Sequence, residues 1–426
     1  MSLRFFEGPA GSGKTTQLFT ELAAMLDQRP VKEHERVLAL TKMHGSRRRM
    51  QSRLLGLHGL RNRFECATMD SFAWRVARRW RSLASAKGFA DVHETDYAEI
   101  CRRAGALMAH SVVRQWLVRA FPFVVVDEAQ DSNDGQLDII RALSMSATCL
   151  VAADDYQDLD ASGENAAVAW ARQNGEIVSL SHNHRTSAGG LLAAASALRE
   201  GRAVPANGNG FVVLGAHNHN TGAGHVSRNL TWWSGCGDIA VITPVRTGTS
   251  PFVQNLIARV EQGPIGNPAV GPHRIPWESS QEDECLRFLS GLGLPADPSV
   301  QVSGSELGLC DQGGISRALL EWLQRQRRLG GKTTFAVSEI RQQVEVIHHR
   351  SRAFRRLLER GVRAMTIHQA KNREFESVIV LWPYEVAGSA DRQRRLLYNA
   401  ITRAKRQALV IVQNPQRLQQ PPFVPA

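Results

Sequence analysis

Eight residues near the start of the chain, Gly8-Pro9-Ala10-Gly11-Ser12-Gly13-Lys14-Thr15, fit the pattern G-x-x-x-x-G-K-[ST]. A glycine-rich turn of this kind leads from a strand into a helix and aims backbone N–H groups at a nucleotide's phosphates. In that chemistry Lys14 reaches the β- and γ-phosphates, the Thr15 hydroxyl holds Mg²⁺, and Thr16 completes the phosphate cradle as the helix opens. A second group, Asp127-Glu128-Ala129-Gln130-Asp131, directly follows the apolar run Phe123-Val124-Val125-Val126. At a strand end downstream of a phosphate loop, Asp127 is placed to bind Mg²⁺ and Glu128 to polarise an attacking water. The two groups together point to nucleoside triphosphate hydrolysis and leave open what the released energy does.

Residues so far apart must be brought together by a sheet. Leu3-Arg4-Phe5-Phe6 reads as a short strand before the loop, and further apolar runs recur at 37–40, 123–126, 149–151 and 176–178. A second series follows at 211–214, 239–242, 377–381 and 408–411. Continuous β-rich runs without alternation suit strands buried on both faces, hence parallel sheets in an α/β protein. Two series predict two such domains dividing near Ala188-Gly189-Gly190. The first spans 1–188 with a small helical insertion at about 77–119. The second spans 189–412 with a mostly helical insertion at about 277–350. The tail, 413–426, carries Pro415, Pro421, Pro422 and Pro425 and is expected to be extended or disordered.

The 426 residues exceed one ordinary core. Lys plus Arg exceed Asp plus Glu by 52 − 40 = 12, so an acidic partner is expected. Arginines cluster at Arg47-Arg48-Arg49 with Arg53, at Arg75, Arg78, Arg79 and Arg81, and at Arg352, Arg355, Arg356 and Arg360. Spacings of three and four place several on one helix face, as phosphate-backbone binding would use them. The six cysteines are scattered without a C-x-x-C pair, which argues for reduced thiols over a zinc or iron–sulfur site. No apolar run approaches membrane-spanning length, and the phosphate loop begins at residue 8, so a cytoplasmic protein without membrane association is expected.

The order of these motifs resembles the UvrD/Rep branch of superfamily 1 helicases. Leu38-Ala39-Leu40-Thr41 with Arg49-Met50 resembles motif Ia, and Ala67-Thr68-Met69-Asp70-Ser71-Phe72 resembles Ib. Ala153-Asp154-Asp155-Tyr156-Gln157 is similar to motif III, and Leu180-Ser181-His182-Asn183-His184-Arg185 to motif IV. Thr366 to Phe375, with His368, Lys371-Asn372 and Glu374, is similar to motif V, and Leu396 to Lys405, with Arg403, to motif VI.

The resemblance implies two RecA-like domains with ATP and Mg²⁺ in the cleft between them. Gln157 would sense the γ-phosphate, and Arg185 and Arg403 would be arginine fingers from the second domain. His184 would stand at the base-stacking position and Glu374 would accept from the ribose. Thr41, Thr68, Thr366 and His368 would line a single-strand track. The implied activity is a DNA-dependent ATPase that translocates on single-stranded or tailed DNA, 3′ to 5′.

Several positions depart from the family. His184 replaces a tyrosine, Asn372 a glycine, and Lys42 a phenylalanine. The segment Asp158-Leu159-Asp160-Ala161-Ser162-Gly163 replaces base-stacking aromatics, each lost stack removing roughly 1–3 kcal/mol of strand grip. Trp74, Trp80 and Tyr156 are candidates to compensate. The alternative is an ATP-cycling regulatory subunit with weak unwinding of its own that controls a partner nuclease. Compact helicase-like proteins of bacterial anti-phage systems such as Gabija act beside a nuclease in this way, and a DNA-repair complex is the other setting.

Overall fold

The computed structural model describes residues 2–42, 44–89, 97–159, 163–245, 248–278, 287–295, 297, 299–305, 307, 309, 314–355 and 361–425. Six strands form a first sheet: β1 (Leu3–Glu7), β2 (Val37–Thr41), β3 (Phe64–Thr68), β4 (Phe123–Val126), β5 (Thr148–Ala153) and β6 (Glu176–Ser179). Their order is β3-β2-β4-β5-β1-β6, and every pairing is parallel. The unbroken apolar runs are explained by helices on both faces. Phe5, Leu38, Leu40, Val124, Val126 and Val151 enter one core, while Phe6, Val37, Ala39, Val125, Leu150 and Ala152 enter the other.

The second sheet repeats the plan with β7 (Asn207–Gly208), β8 (Phe211–Ala216), β9 (Ile239–Thr243), β12 (Val362–Thr366), β13 (Phe375–Trp382) and β14 (Ala404–Gln413). Its order is β12-β9-β13-β14-β8-β7, parallel except for the short β7–β8 pairing. Alternate residues again divide between two cores, with Ala240, Ile242, Val378 and Val410 on one side and Ile239, Val241, Ile379 and Leu409 on the other. The chain is thus an α/β protein with two parallel-dominated sheets, as tandem RecA-like domains would have.

Between β9 and β12 the antiparallel pair β10 (Gln301–Ser303) and β11 (Thr334–Ala336) joins the helices Gly314–Gly330 and Val337–Arg355. Leu319, Leu323, Phe335, Ile340 and Val344 give these elements a core of their own. The segment leading toward it lies against the edge of the second sheet, with Trp277 bridging Ala364 in parallel. In the first half, the helices Arg81–Ala86, Tyr97–Met108 and Ser111–Ala120 lie between β3 and β4. No helix among the described residues is long and apolar enough to cross a membrane.

The tail departs from the sequence expectation. Pro415–Gln419 forms a 3₁₀ turn, Phe423 is 4% exposed and meets Trp382 edge-on at 6.0 Å, and Val204 donates its N–H to the Phe423 carbonyl at 2.8 Å. The prolines stop regular structure, but they do not stop one aromatic ring from finding a buried socket. Phe423→Ala is expected to cost about 3–5 kcal/mol of stability. Urea unfolding checks this, and a midpoint equal to that of the unaltered chain would show the socket to be unimportant.

Candidate active site

The carboxyl ends of β4, β5 and β1 are neighbours in the first sheet, which brings Asp127, Asp154 and the phosphate loop to one edge. Ligands of parallel α/β sheets bind at that edge. The loop needs its glycines. Gly11 and Gly13 have φ of 81° and 82°, a left-handed conformation that favours glycine, and a Cβ on Gly8 would lie 2.3 Å from the Leu180 carbonyl oxygen. The Ser12 hydroxyl is buried without a hydrogen-bond partner among the described residues. Lys14 donates to the carbonyls of Gly8 (2.8 Å) and Pro9 (3.0 Å), folding back over its own turn. Burial pulls its pKa below the usual lysine value, against the opposing pull of Asp154, Glu128 and Asp127. An orphaned hydroxyl and a lysine bent onto its own loop suit a cradle built for a phosphate anion.

Thr15 Oγ1 donates to Asp127 Oδ2 at 3.1 Å, so two hard oxygens stand together as Mg²⁺ prefers. Burial, and then the neighbouring Glu128, push Asp127 up to about 6. Glu128 sits in the left-handed region at φ 59°, an uncommon conformation for this residue type, and its side chain accepts from Gln130 Nε2 at 2.7 Å. The carboxylate is therefore aimed by backbone and partner alike.

The second sheet brings Arg403 to the same place, and Arg185 reaches it from the segment between β6 and the helix Gly189–Arg199. Arg403, in the turn before β14, is 2% exposed. It donates through Nε to Asn399 O at 3.0 Å and through Nη2 to Gln157 Oε1 at 2.7 Å. Burial, with Arg185 close by, pushes its pKa down to about 10, still charged at neutral pH. Arg185 donates to Thr402 O at 2.7 Å and pairs with Glu374 at 2.8 Å. Glu374 is held below the usual carboxylate range: burial opposes this, and Arg185, Lys405 and Arg49 outweigh it. In this conformation Glu374 therefore holds an arginine, where the sequence reading gives it a ribose. Gln157 links Asp154 (2.8 Å) to Arg403, and the His184 amide donates to Gly11 O at 2.8 Å while its ring lies beside Gly13.

Further bonds tie the two sheets together. The Ala10 amide donates to the Tyr398 hydroxyl at 2.7 Å, Lys371 pairs with Asp131, and Arg395 donates to Asp155 O at 2.5 Å.

The proposed strand track is less direct. Thr41 and Thr68 end neighbouring strands and are 1% and 3% exposed. Thr68 caps the helix Met69–Arg79 by accepting from Ser71 N, and Thr366 caps Ile367–Ala370 by accepting from Gln369 N. The Thr68 and Thr366 hydroxyls thus serve the chain's own amides, whereas the buried Thr41 hydroxyl has no hydrogen-bond partner among the described residues. His368 is exposed.

Tyr156 does not replace the missing aromatics. It is buried, donates to Leu198 O at 2.5 Å and meets Tyr398 edge-on. Trp74 and Trp80 are half-buried against the first core. Lys42 donates to Asp131 O at 2.5 Å, and Asn372 takes the left-handed turn at φ 59° expected where a glycine would otherwise stand. In the arginine clusters, Arg75 pairs with Glu65 and Arg79 lies 5.0 Å over the Trp116 ring. Asp160, Ala161 and Ser162, and the side chains of Arg48, Arg352, Arg355, Arg356 and Arg360, lie outside what the structure describes.

Residues 361–411 match the model of the UvrD-like helicase C-terminal domain. This helicase-like segment carries Thr366, His368, Glu374 and Arg403, and it supplies the second-sheet side of the site. Among solved structures, the arterivirus nonstructural protein 10 helicase is similar at 11% identity and a TM-score of 0.41, covering 99% of this chain and 62% of that one. The chain thus spans less than two thirds of that protein's length. No curated protein matches it.

The sequence reading named no role for Asp154, Arg199 or Tyr398. Asp154 and Tyr398 lay inside recognised motifs, where a role could have been sought. Arg53, which the sequence reading placed with Arg47-Arg48-Arg49 in a cluster suited to phosphate-backbone binding, donates to Thr16 Oγ1 at 3.2 Å. Arg199 pairs with Asp154 across 45 residues, and nothing local announces it.

Proposed function

We propose that the chain is an ATP-hydrolysing, nucleic-acid-dependent motor of the superfamily 1 helicase kind, acting on single-stranded or tailed DNA in the 3′ to 5′ direction. The observation that carries this reading is the Arg403–Gln157 bond of 2.7 Å, which joins an arginine of the second sheet to the first-sheet glutamine that also contacts Asp154. A γ-phosphate sensor wired to an arginine finger makes hydrolysis depend on the closed cleft. Lys14 and the loop amides bind the phosphates, and Thr15 and Asp127 hold Mg²⁺, which neutralises charge on the phosphate oxygens when bound. Glu128 orients the water, and Arg185 and Arg403 meet the negative charge that develops on the transferred group.

The test is ATP hydrolysis by the purified chain with and without single-stranded DNA, followed by strand displacement on 3′- and 5′-tailed duplexes. Severalfold stimulation by DNA and displacement from the 3′ tail are expected. Hydrolysis indifferent to DNA would overturn the motor reading, and greater stimulation by RNA would reassign the track.

One observation favours the second reading, a regulatory subunit that works with a nuclease. Tyr156, Thr41 and Thr68 are buried, so the described face offers few side chains to grip a strand. Stable co-purification with a nuclease, together with weak displacement by the isolated chain, would support it, and robust displacement by the chain alone would remove it.

A further inference from the structure

Asp154 directly follows β5, one strand away from the phosphate loop, and its side chain is fully buried. A carboxylate removed from water has to be paired. Oδ1 accepts from Arg199 Nη1 at 2.6 Å and from the Tyr156 amide at 3.2 Å, while Oδ2 accepts from Gln157 Nε2 at 2.8 Å and from the Tyr398 hydroxyl at 3.3 Å. Lys14 Nζ is the other cation within reach, at 3.9 Å from Oδ2. That is too long for a hydrogen bond, and the lysine spends its donors on Gly8 and Pro9 instead.

We propose that Arg199 is a positioning residue for Lys14: by occupying Asp154 it leaves the lysine free to take a phosphate. This rests on the ATP-site reading above.

Geometry favours the arginine in the competition. Arg199 is the last residue of the helix Gly189–Arg199, the end at which the helix dipole favours a cation. Its guanidinium lies over the rings of Tyr156 (5.3 Å) and Tyr398 (5.5 Å), which themselves meet edge-on. The same Nη1 reaches the Tyr398 hydroxyl at 3.3 Å. That hydroxyl donates once, to Asp154, and accepts twice, from Arg199 and from the Ala10 amide of the phosphate loop, so its hydrogen-bonding capacity is filled. Arg199 thus fixes both the carboxylate that would capture Lys14 and the hydroxyl that steadies the loop. A cavity of about 220 Å³, walled by Gly8, Asp154, Leu180 and Arg199, gives water access to the arginine, whose side chain is 32% exposed, while the carboxylate has none. With the arginine's charge removed, Asp154 keeps its neutral donors, and among the described residues Lys14 is the cation left beside it. The attraction needs to move Nζ by only about 1 Å to close an ion pair.

The test is steady-state ATP hydrolysis by the full chain carrying Arg199→Met or Arg199→Lys, with thermal unfolding measured alongside. Arg199→Met is expected to raise KM for Mg–ATP about tenfold with kcat within about threefold, because a captured lysine weakens phosphate binding. Arg199→Lys restores a cation for Asp154 and is expected to stay within about threefold of the unaltered KM. A lesion that merely damaged the fold would remove active molecules, lowering kcat at constant KM. If the Met variant does not fold, Arg199→Gln, which keeps a donor without the charge, reports the same arm. An unchanged KM in the neutral variants, or a Lys variant as impaired as they are, overturns the inference while the ATP site stands. An unaltered chain that binds no ATP overturns the site reading and this inference with it.

Discussion

Glu128→Gln is expected to lower ATP turnover by about 10²- to 10⁴-fold while ATP affinity stays within about threefold. The substitution is nearly isosteric. A glutamine at 128 can still present an oxygen to Gln130 Nε2, so the 2.7 Å contact that aims the side chain survives. The left-handed backbone at φ 59° is no more strained for an amide than for a carboxylate. What is lost is the negative charge and the basic oxygen that polarise water. Stopped-time phosphate release and equilibrium binding of ATP separate the two effects. Turnover above about a tenth of the unaltered rate would mean that another group activates the water.

Arg403→Ala carries the other large expectation, a fall in kcat of about 10³- to 10⁵-fold, the range in which arginine fingers act. The guanidinium is buried and remains charged with a pKa pushed down to about 10, so it works in surroundings where charge is poorly screened. Its Nε bond to Asn399 O fixes the fork, and its Nη2 bond to Gln157 holds the far end against the first-sheet half of the site. Arg403→Lys should be nearly as inactive, because one ammonium cannot satisfy both acceptors in that geometry. Single-turnover hydrolysis at saturating ATP measures this. A variant that loses ATP affinity and keeps its single-turnover rate would make Arg403 a binding residue and leave the chemistry to Arg185.

Much of this arrangement could be read along the chain because it is written in local patterns. The runs Val37 to Leu40 and Phe123 to Val126 had to be two-sided strands, since they offer no polar face to water. The glycines of the loop at 8–15 and the Asp127-Glu128 pair carried the expectation of nucleotide chemistry through their spacing, and the sheet brings them to one edge. The contacts that depend on which helix lands on which sheet were not legible. Tyr156 looked like a base platform, yet its ring is enclosed by Tyr398 and two arginines from distant helices. Phe423 lay in a proline-rich tail that gives no periodic signal, and its socket against Trp382 exists only after the second sheet has formed. Thr68 matched a strand-contact position, but a threonine before a helix is also an N-cap, and the cap is what it forms.

The strand order also sets a timetable for synthesis. β1, which ends at the phosphate loop, pairs only with β5 and β6, at 148–153 and 176–179. A chain emerging from the ribosome therefore carries Leu3-Arg4-Phe5-Phe6 with both hydrogen-bonding edges open until about 150 further residues have been made. Throughout that interval Phe5 and Phe6 have no neighbouring strand to cover them, which is the condition that recruits chaperones or nucleates aggregation. The loop that follows β1 cannot take its shape until β5 and β6, made well over a hundred residues later, have joined the sheet.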